Sequence, residues 1–255
     1  MKHYYQMVMH YNAHTTIVSI AYSFMQCVCS TVEKGFDMRH RYARQLQNVH
    51  DDLLRIGSRV EHGLADAMRA LTTADAELAT NVVAGDREID RTHVAIDEQI
   101  FELIATQQPV ASDLRTLLAT SAIASELERA GDYAKGIAKR VTVLLNQTPI
   151  VPIPATIGRM GELSHQMLTQ SLDAFVKRDI AVARGLADID AQVDDLEDEA
   201  NAQIRDMMKH DVATLESGLI LIEITYMLER LADRTTNIGE RVIFMINNTT
   251  EALNQ

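Results

Sequence analysis

From Arg39 onward, apolar residues recur three and four positions apart with hardly a pause. That spacing puts them on one face of an α-helix, which turns once every 3.6 residues. Prolines break the pattern at only two places, Pro109 alone and Pro149, Pro152 and Pro154 together. Between the breaks the period predicts six long helices, over roughly 39–72, 75–106 and 109–146, then 155–177, 179–210 and 212–248. Pro109 is expected in the first turn of its helix, where a missing N–H is no loss. The proline trio removes donors and favours extended backbone, so 149–154 reads as a linker. In the third helix Ile123, Leu127, Ala130, Ala134, Ile137, Val141 and Leu144 form a seam of coiled-coil type, and Ile224, Leu228, Leu231, Thr235, Ile238, Val242 and Met245 repeat it in the sixth.

The two seams belong to an internal repeat. Leu127 to Val141 reads LERAGDYAKGIAKRV and Leu228 to Val242 reads LERLADRTTNIGERV, matching at seven of fifteen positions. Upstream, GDREID ending at Asp90 aligns with DIDAQVD ending at Asp194. A unit of about a hundred residues is therefore used twice. The expected architecture is all-α, two tandem three-helix bundles over 38–148 and 155–250, with an atypical N-terminal extension over 1–37.

Composition agrees with that class. The 255 residues are 47% hydrophobic and 5% aromatic, with 4 Pro, 11 Gly and no Trp, which supplies a core and little strand chemistry. Residues 1–37, rich in His, Tyr, Met and Thr, differ from everything after them and read as translation from an upstream start in preference to a functional extension. Their apolar stretch, Ile17 to Val32, is broken by Ser19, Ser23, Gln26, Ser30 and Thr31, too short and polar for a membrane span and without the flanks of a signal peptide. The formal charge is -12, from 36 acidic against 24 basic side chains, which repels nucleic acid and favours a cationic ligand or partner. Cys27 and Cys29, the only cysteines, cannot form a disulfide framework or a zinc site, and a reducing cytoplasm is expected.

Candidate chemistry lies beside the seams. Glu128 and Asp132 stand four residues apart, as do Glu229 and Asp233, and such pairs share one helix face about 6 Å apart. The second helix of each unit carries Asp86 and Asp90 around Ile89, or Asp190 and Asp194 around Val193. If the faces converge, each bundle offers four carboxylates that repel one another unless a cation lies between them. The ion expected is iron, manganese, magnesium or zinc; an oxygen-only set suits the first three and not a structural zinc site. A single acidic pair more often faces water or meets arginine, and Arg129 and Arg230 are expected in salt bridges. Recurrence at equivalent places, twice in each repeat, favours a shared cation. His62, His93, His165 and His210 are not repeated and are expected at the surface or the bundle edge. One Glu-x-x-His stretch, Glu162 to His165, is too little for a di-iron oxidase, and no phosphate loop or hydrolase triad appears.

SELERAGDYAKGIAKR at 125–140, YMLERLADRTTNIGERV at 226–242 and GDREID followed by QQPVASDLR resemble the PhoU family from about Met38 to Asn248. The resemblance implies metal clusters held by Glu128, Asp132, Glu229 and Asp233, with Asp86, Asp90, Asp190 and Asp194 facing them. It also implies a homodimer in the cytoplasm, recruited to the inner face of the membrane by its partners. Those partners are the Pst transporter ATPase subunit and a PhoR-type sensor kinase, and the role is negative regulation of phosphate uptake and of the phosphate-starvation response, without catalysis. A carboxylate-bridged metalloenzyme and a metal-free helical scaffold are the rival readings. The chain departs from the family pattern at Gly136, which stands where the second repeat has Asn237. Family members commonly begin near Met38.

Overall fold

A computed structural model describes residues 41–253; the expected extension over 1–37 lies outside the described residues. From Asn48 onward the described chain forms one compact unit. Its elements are α1 (residues 41–73), α2 (Ala76–Gln107), α3 (Ser112–Leu144), α4 (Ala155–Lys177), α5 (Ile180–His210) and α6 (Leu215–Asn247), the last preceded by a 3-10 turn, Val212–Thr214. No strand occurs among the described residues, so the all-α reading holds. None of the described helices is long and apolar enough to cross a membrane.

Duplication is visible in the backbone. α1 ends on Ala74 at φ 56 and α4 on Arg178 at φ 51, left-handed residues that close each helix. The next residue caps the following helix: Asp75 accepts from Leu78 N–H at 2.9 Å, and Asp179 accepts from Ala181 N–H at 2.9 Å. Asp75 N–H bonds back to Ala70 O at 3.1 Å as Asp179 N–H does to Ala174 O at 3.0 Å.

The expected start of the third helix needs correction. Pro109 does not open α3; the helix begins at Ser112. Gln108, at φ 48, closes α2 with an N–H bond to Ile104 O, and Ala111, at φ 47, completes the reversal. Turning the chain back on itself uses residues 108–111, and Pro109 serves that loop.

Every residue of both seams is buried. α3 packs along α6, and the repeats meet there in reciprocal fashion. Asn237 Nδ2 donates to Glu126 Oε2 at 3.3 Å. At the equivalent positions, Met227 occupies the space beside Gly136, where a Cβ would stand 2.8 Å from its sulfur. This explains the departure at Gly136: the second repeat crosses the seam with an amide, the first with a glycine that admits a thioether. Arg140 pairs with Glu223 and Arg234 with Glu126, adding charge contacts between α3 and α6.

Candidate functional site

The helix pairs α2/α3 and α5/α6 bring both sets of four carboxylates into mutual reach. In the first repeat, Glu128 is raised above the ordinary carboxylate range by burial and by Asp132; His93 opposes this, while Asp90 and Asp86 add to it. In the second, burial pushes Asp190 up to about 7, helped by Asp194 and Asp233. Glu229 also rises to about 7 through burial and the Asp233 charge, against the pull of Arg230. Asp194 is raised by burial and by Asp233. Each group feels the others as like charges taken partly out of water.

The two clusters differ in what answers that charge. In the first, Asp86 lies at the base with its side chain only 4% exposed. Lys135, one turn beyond Asp132 on α3, puts its ammonium 2.5 Å from Asp86 Oδ2 and 3.0 Å from Asp132 Oδ1. Hydrogen bonds to Asp86 and then Asp132 hold this ammonium protonated well above the usual lysine range. The other oxygen of Asp86, Oδ1, is buried without a hydrogen-bond partner. A cavity of about 320 Å³ opens beside the pair, lined by Arg59, Asp66, Gly85, Asp86, Gly131 and Lys135 among others.

In the second cluster, Thr236 stands where the first has Lys135. Its hydroxyl donates to its own helix, at Asp233 O, 2.8 Å away, and brings no charge. Arg230 works from the rim, with Nη1 2.8 Å from Asp233 Oδ2 and Nε 3.4 Å from Glu229 Oε2, its guanidinium over the Tyr226 ring. Arg234 reaches Asp233 only at 3.7 Å and is engaged by Glu126 at 3.2 Å. No ion pair reaches Asp190 or Asp194 among the described residues. Glu197 on α5 adds a fifth carboxylate, raising Glu229 further. At the position equivalent to Glu197, the first repeat has His93.

Among the described residues, no three His, Cys, Asp or Glu side chains already converge as a finished coordination sphere. The donor chemistry of Asp190, Asp194, Glu229 and Asp233 fits a hard divalent cation: the ligands are all oxygens, and among the described residues Arg230 and Arg234 reach only the α6 pair and no lysine bridges to α5. That of Asp86, Asp90, Glu128 and Asp132 does not, because the Lys135 ammonium already bridges the two helices between Asp86 and Asp132.

Lys135 and Glu197 are absent from the motif reading, and His93, expected only at the surface or the bundle edge, belongs to the first cluster's surroundings. A signal was present, since Lys135 faces Thr236, and His93 faces Glu197, when the repeats are aligned. The remaining histidines lie as expected, His62 and His210 exposed and His165 at the edge, while His93 pairs with Asp97 at 3.5 Å. Arg230 forms the salt bridges expected of it; Arg129 is exposed.

Comparison with known proteins accounts for both repeats. The PhoU domain family matches residues 53–141 and again 157–242. A relative from Caulobacter vibrioides, a "Phosphate-specific transport system accessory protein PhoU homolog", is 34% identical over 203 residues, covering 80% of this chain and 88% of the relative. The Escherichia coli accessory protein PhoU is 32% identical over 206 residues, 81% of this chain and 85% of that protein. Among solved structures, PhoU from Pseudomonas aeruginosa superimposes with a TM-score of 0.77 at 32% identity, covering 82% of this chain and all of that one, 100%. The phosphate transport system regulatory protein PhoU from Streptococcus pneumoniae gives 0.75 at 29% identity, covering 82% and 99%. These relatives carry accessory or regulatory names, in line with a non-catalytic protein. With both repeats matched and a third of the residues shared with full-length relatives, the chain belongs to the PhoU family.

Proposed function

We propose that this protein is a cation-binding regulator of phosphate uptake that keeps the Pst transporter and the phosphate-starvation response low when phosphate is plentiful. The observation that carries this reading is the paired PhoU domain across both repeats, joined to a second cluster in which Asp190 and Asp194 meet no ion pair among the described residues. The names of its relatives support the transport link.

A protein without a catalytic constellation regulates by binding one state of its partner better than another, and its effect is bounded by that difference in affinity. The partners in this reading are the Pst ATPase subunit and a PhoR-type kinase at the cytoplasmic face of the membrane. A divalent ion held by Asp190, Asp194, Glu229 and Asp233 would supply positive charge between α5 and α6. The protein's own part is to hold those carboxylates on two helices whose neighbouring Val193 and Leu231 are buried in the core. The state of the cluster thereby sets the outer faces of α5 and α6.

Deleting the gene in its host should leave the starvation response active in phosphate-rich medium, and the wild-type sequence should restore repression. The variant E229Q/D233N should restore it poorly while keeping its helix content. Normal phosphate control in the deletion strain overturns the regulatory reading, and full repression by a metal-free variant overturns the part assigned to the cation.

A further inference from the structure

The repeats align residue by residue at their acidic clusters, so a difference between them is a difference in what each cluster can hold. Asp86 matches Asp190, Asp90 matches Asp194, Glu128 matches Glu229 and Asp132 matches Asp233. The ligand set is conserved between the halves of this chain, yet its counter-charge is not. We propose that Lys135 is a built-in cation: its ammonium takes the place of a divalent ion in the first cluster, so that the chain carries one metal-binding cluster, in the second repeat, rather than two.

The geometry supports this at four points. First, the ammonium contacts one carboxylate from each helix, Asp86 on α2 and Asp132 on α3, the bridging job that an ion between the helices would perform. Second, the oxygen it meets at 2.5 Å belongs to the more deeply buried of the two, 4% exposed against 52% for Asp132. A buried carboxylate is the member of the set that most needs a permanent partner. Third, an ion at coordination distance from Asp86 Oδ2 would have to evict the ammonium, since the two cannot share that space, and Hard cations bind carboxylate oxygens at about 2.0–2.6 Å. Fourth, His93 replaces Glu197 at the fifth position, so the first cluster is poorer in negative charge even before the lysine is considered. In the second cluster the residue equivalent to Lys135 is Thr236, turned back on its own helix, and the ion pairs of Arg230 and Arg234 reach Glu229 and Asp233 on α6 without bridging to Asp190 or Asp194 on α5 among the described residues.

The consequence is a division of labour between equivalent halves. The tether makes the first bridge independent of metal supply, while the second bridge depends on it. This inference rests on the reading of the second cluster as a cation site, and the experiment separates the two.

Calorimetric titration with Mn²⁺ and elemental analysis of the dialysed full-length protein provide the test. Wild type is compared with a variant emptied of second-cluster charge (D190N/D194N/E229Q/D233N), and with that variant carrying Lys135→Thr or, to keep length and a donor, Lys135→Gln. Circular dichroism checks that each is folded, and the glutamine variant stands in if the threonine one is not. Mn²⁺ should bind wild type, bind the emptied variant at least tenfold more weakly, and regain binding when Lys135 is also replaced. Undiminished binding by the emptied variant with Lys135 in place, or no gain on replacing Lys135, overturns the proposal. Failure of wild type to bind Mn²⁺ overturns the second-cluster reading instead. Lys135→Thr in the wild-type background then decides the role of the lysine: new Mn²⁺ binding supports it and none refutes it.

Discussion

The α2/α3 cluster and the α5/α6 cluster share four carboxylates in matched positions, yet one is closed by a lysine and the other is left with two carboxyl groups near 7. A duplicated scaffold thus does not imply duplicated chemistry. Both halves keep the features that folding demands, the buried seam, the left-handed residue and the aspartate cap. They differ at Lys135 and Thr236, His93 and Glu197, positions that packing leaves more freedom and that set the local charge.

If the scaffolds are equivalent, core truncations should be equally costly in both. Leu127→Ala and Leu228→Ala each remove a fully buried side chain and should each lose about 2–5 kcal/mol in denaturant unfolding. A small loss in one half alone would break the comparison at its base. The clusters should then respond unequally. Lys135→Met leaves Asp86 buried without its partner and should cost about 1–3 kcal/mol. Thr236→Val, at the matching position, removes only a hydroxyl bonded to its own helix and should cost about 1 kcal/mol or less. Equal losses would show that Lys135 contributes no more than packing.

The subtlest contrast is in pH. Asp190 and Glu229 have folded values near 7 against ordinary values of 3.8 and 4.5. Between those limits the folded, metal-free protein binds more protons than the unfolded chain, so stability falls as pH rises. The contribution is fully present below about pH 4 and is lost as pH passes through about 7. Asn and Gln at these two positions should flatten the slope of melting temperature against pH, and an unchanged slope would place its origin elsewhere.

The helices were legible in the sequence because the 3.6-residue period and the two proline breaks need no tertiary knowledge. The misplaced start at Pro109 came from reading a proline by its local preference, when the reversal into α3 used Gln108 and Ala111 in left-handed backbone. The eight carboxylates were legible from recurrence. Their inequality was only half so: Lys135 and Thr236 lie within the two stretches whose alignment reveals the repeat. What the alignment does not contain is the reach of the lysine across to α2, or that Asp86 is buried while Asp90 is exposed. Both depend on the spacing and rotation of packed helices, which a linear pattern does not carry.

The central claim is that the two acidic clusters are unequal because one already contains its cation. Crystals of the wild-type protein grown with Mn²⁺ and measured at the manganese absorption edge test it most directly. The account predicts anomalous density among Asp190, Asp194, Glu229 and Asp233, with none between Asp86 and Asp132, where the Lys135 ammonium should remain. Density of equal height at both clusters, or at the first alone, would contradict it.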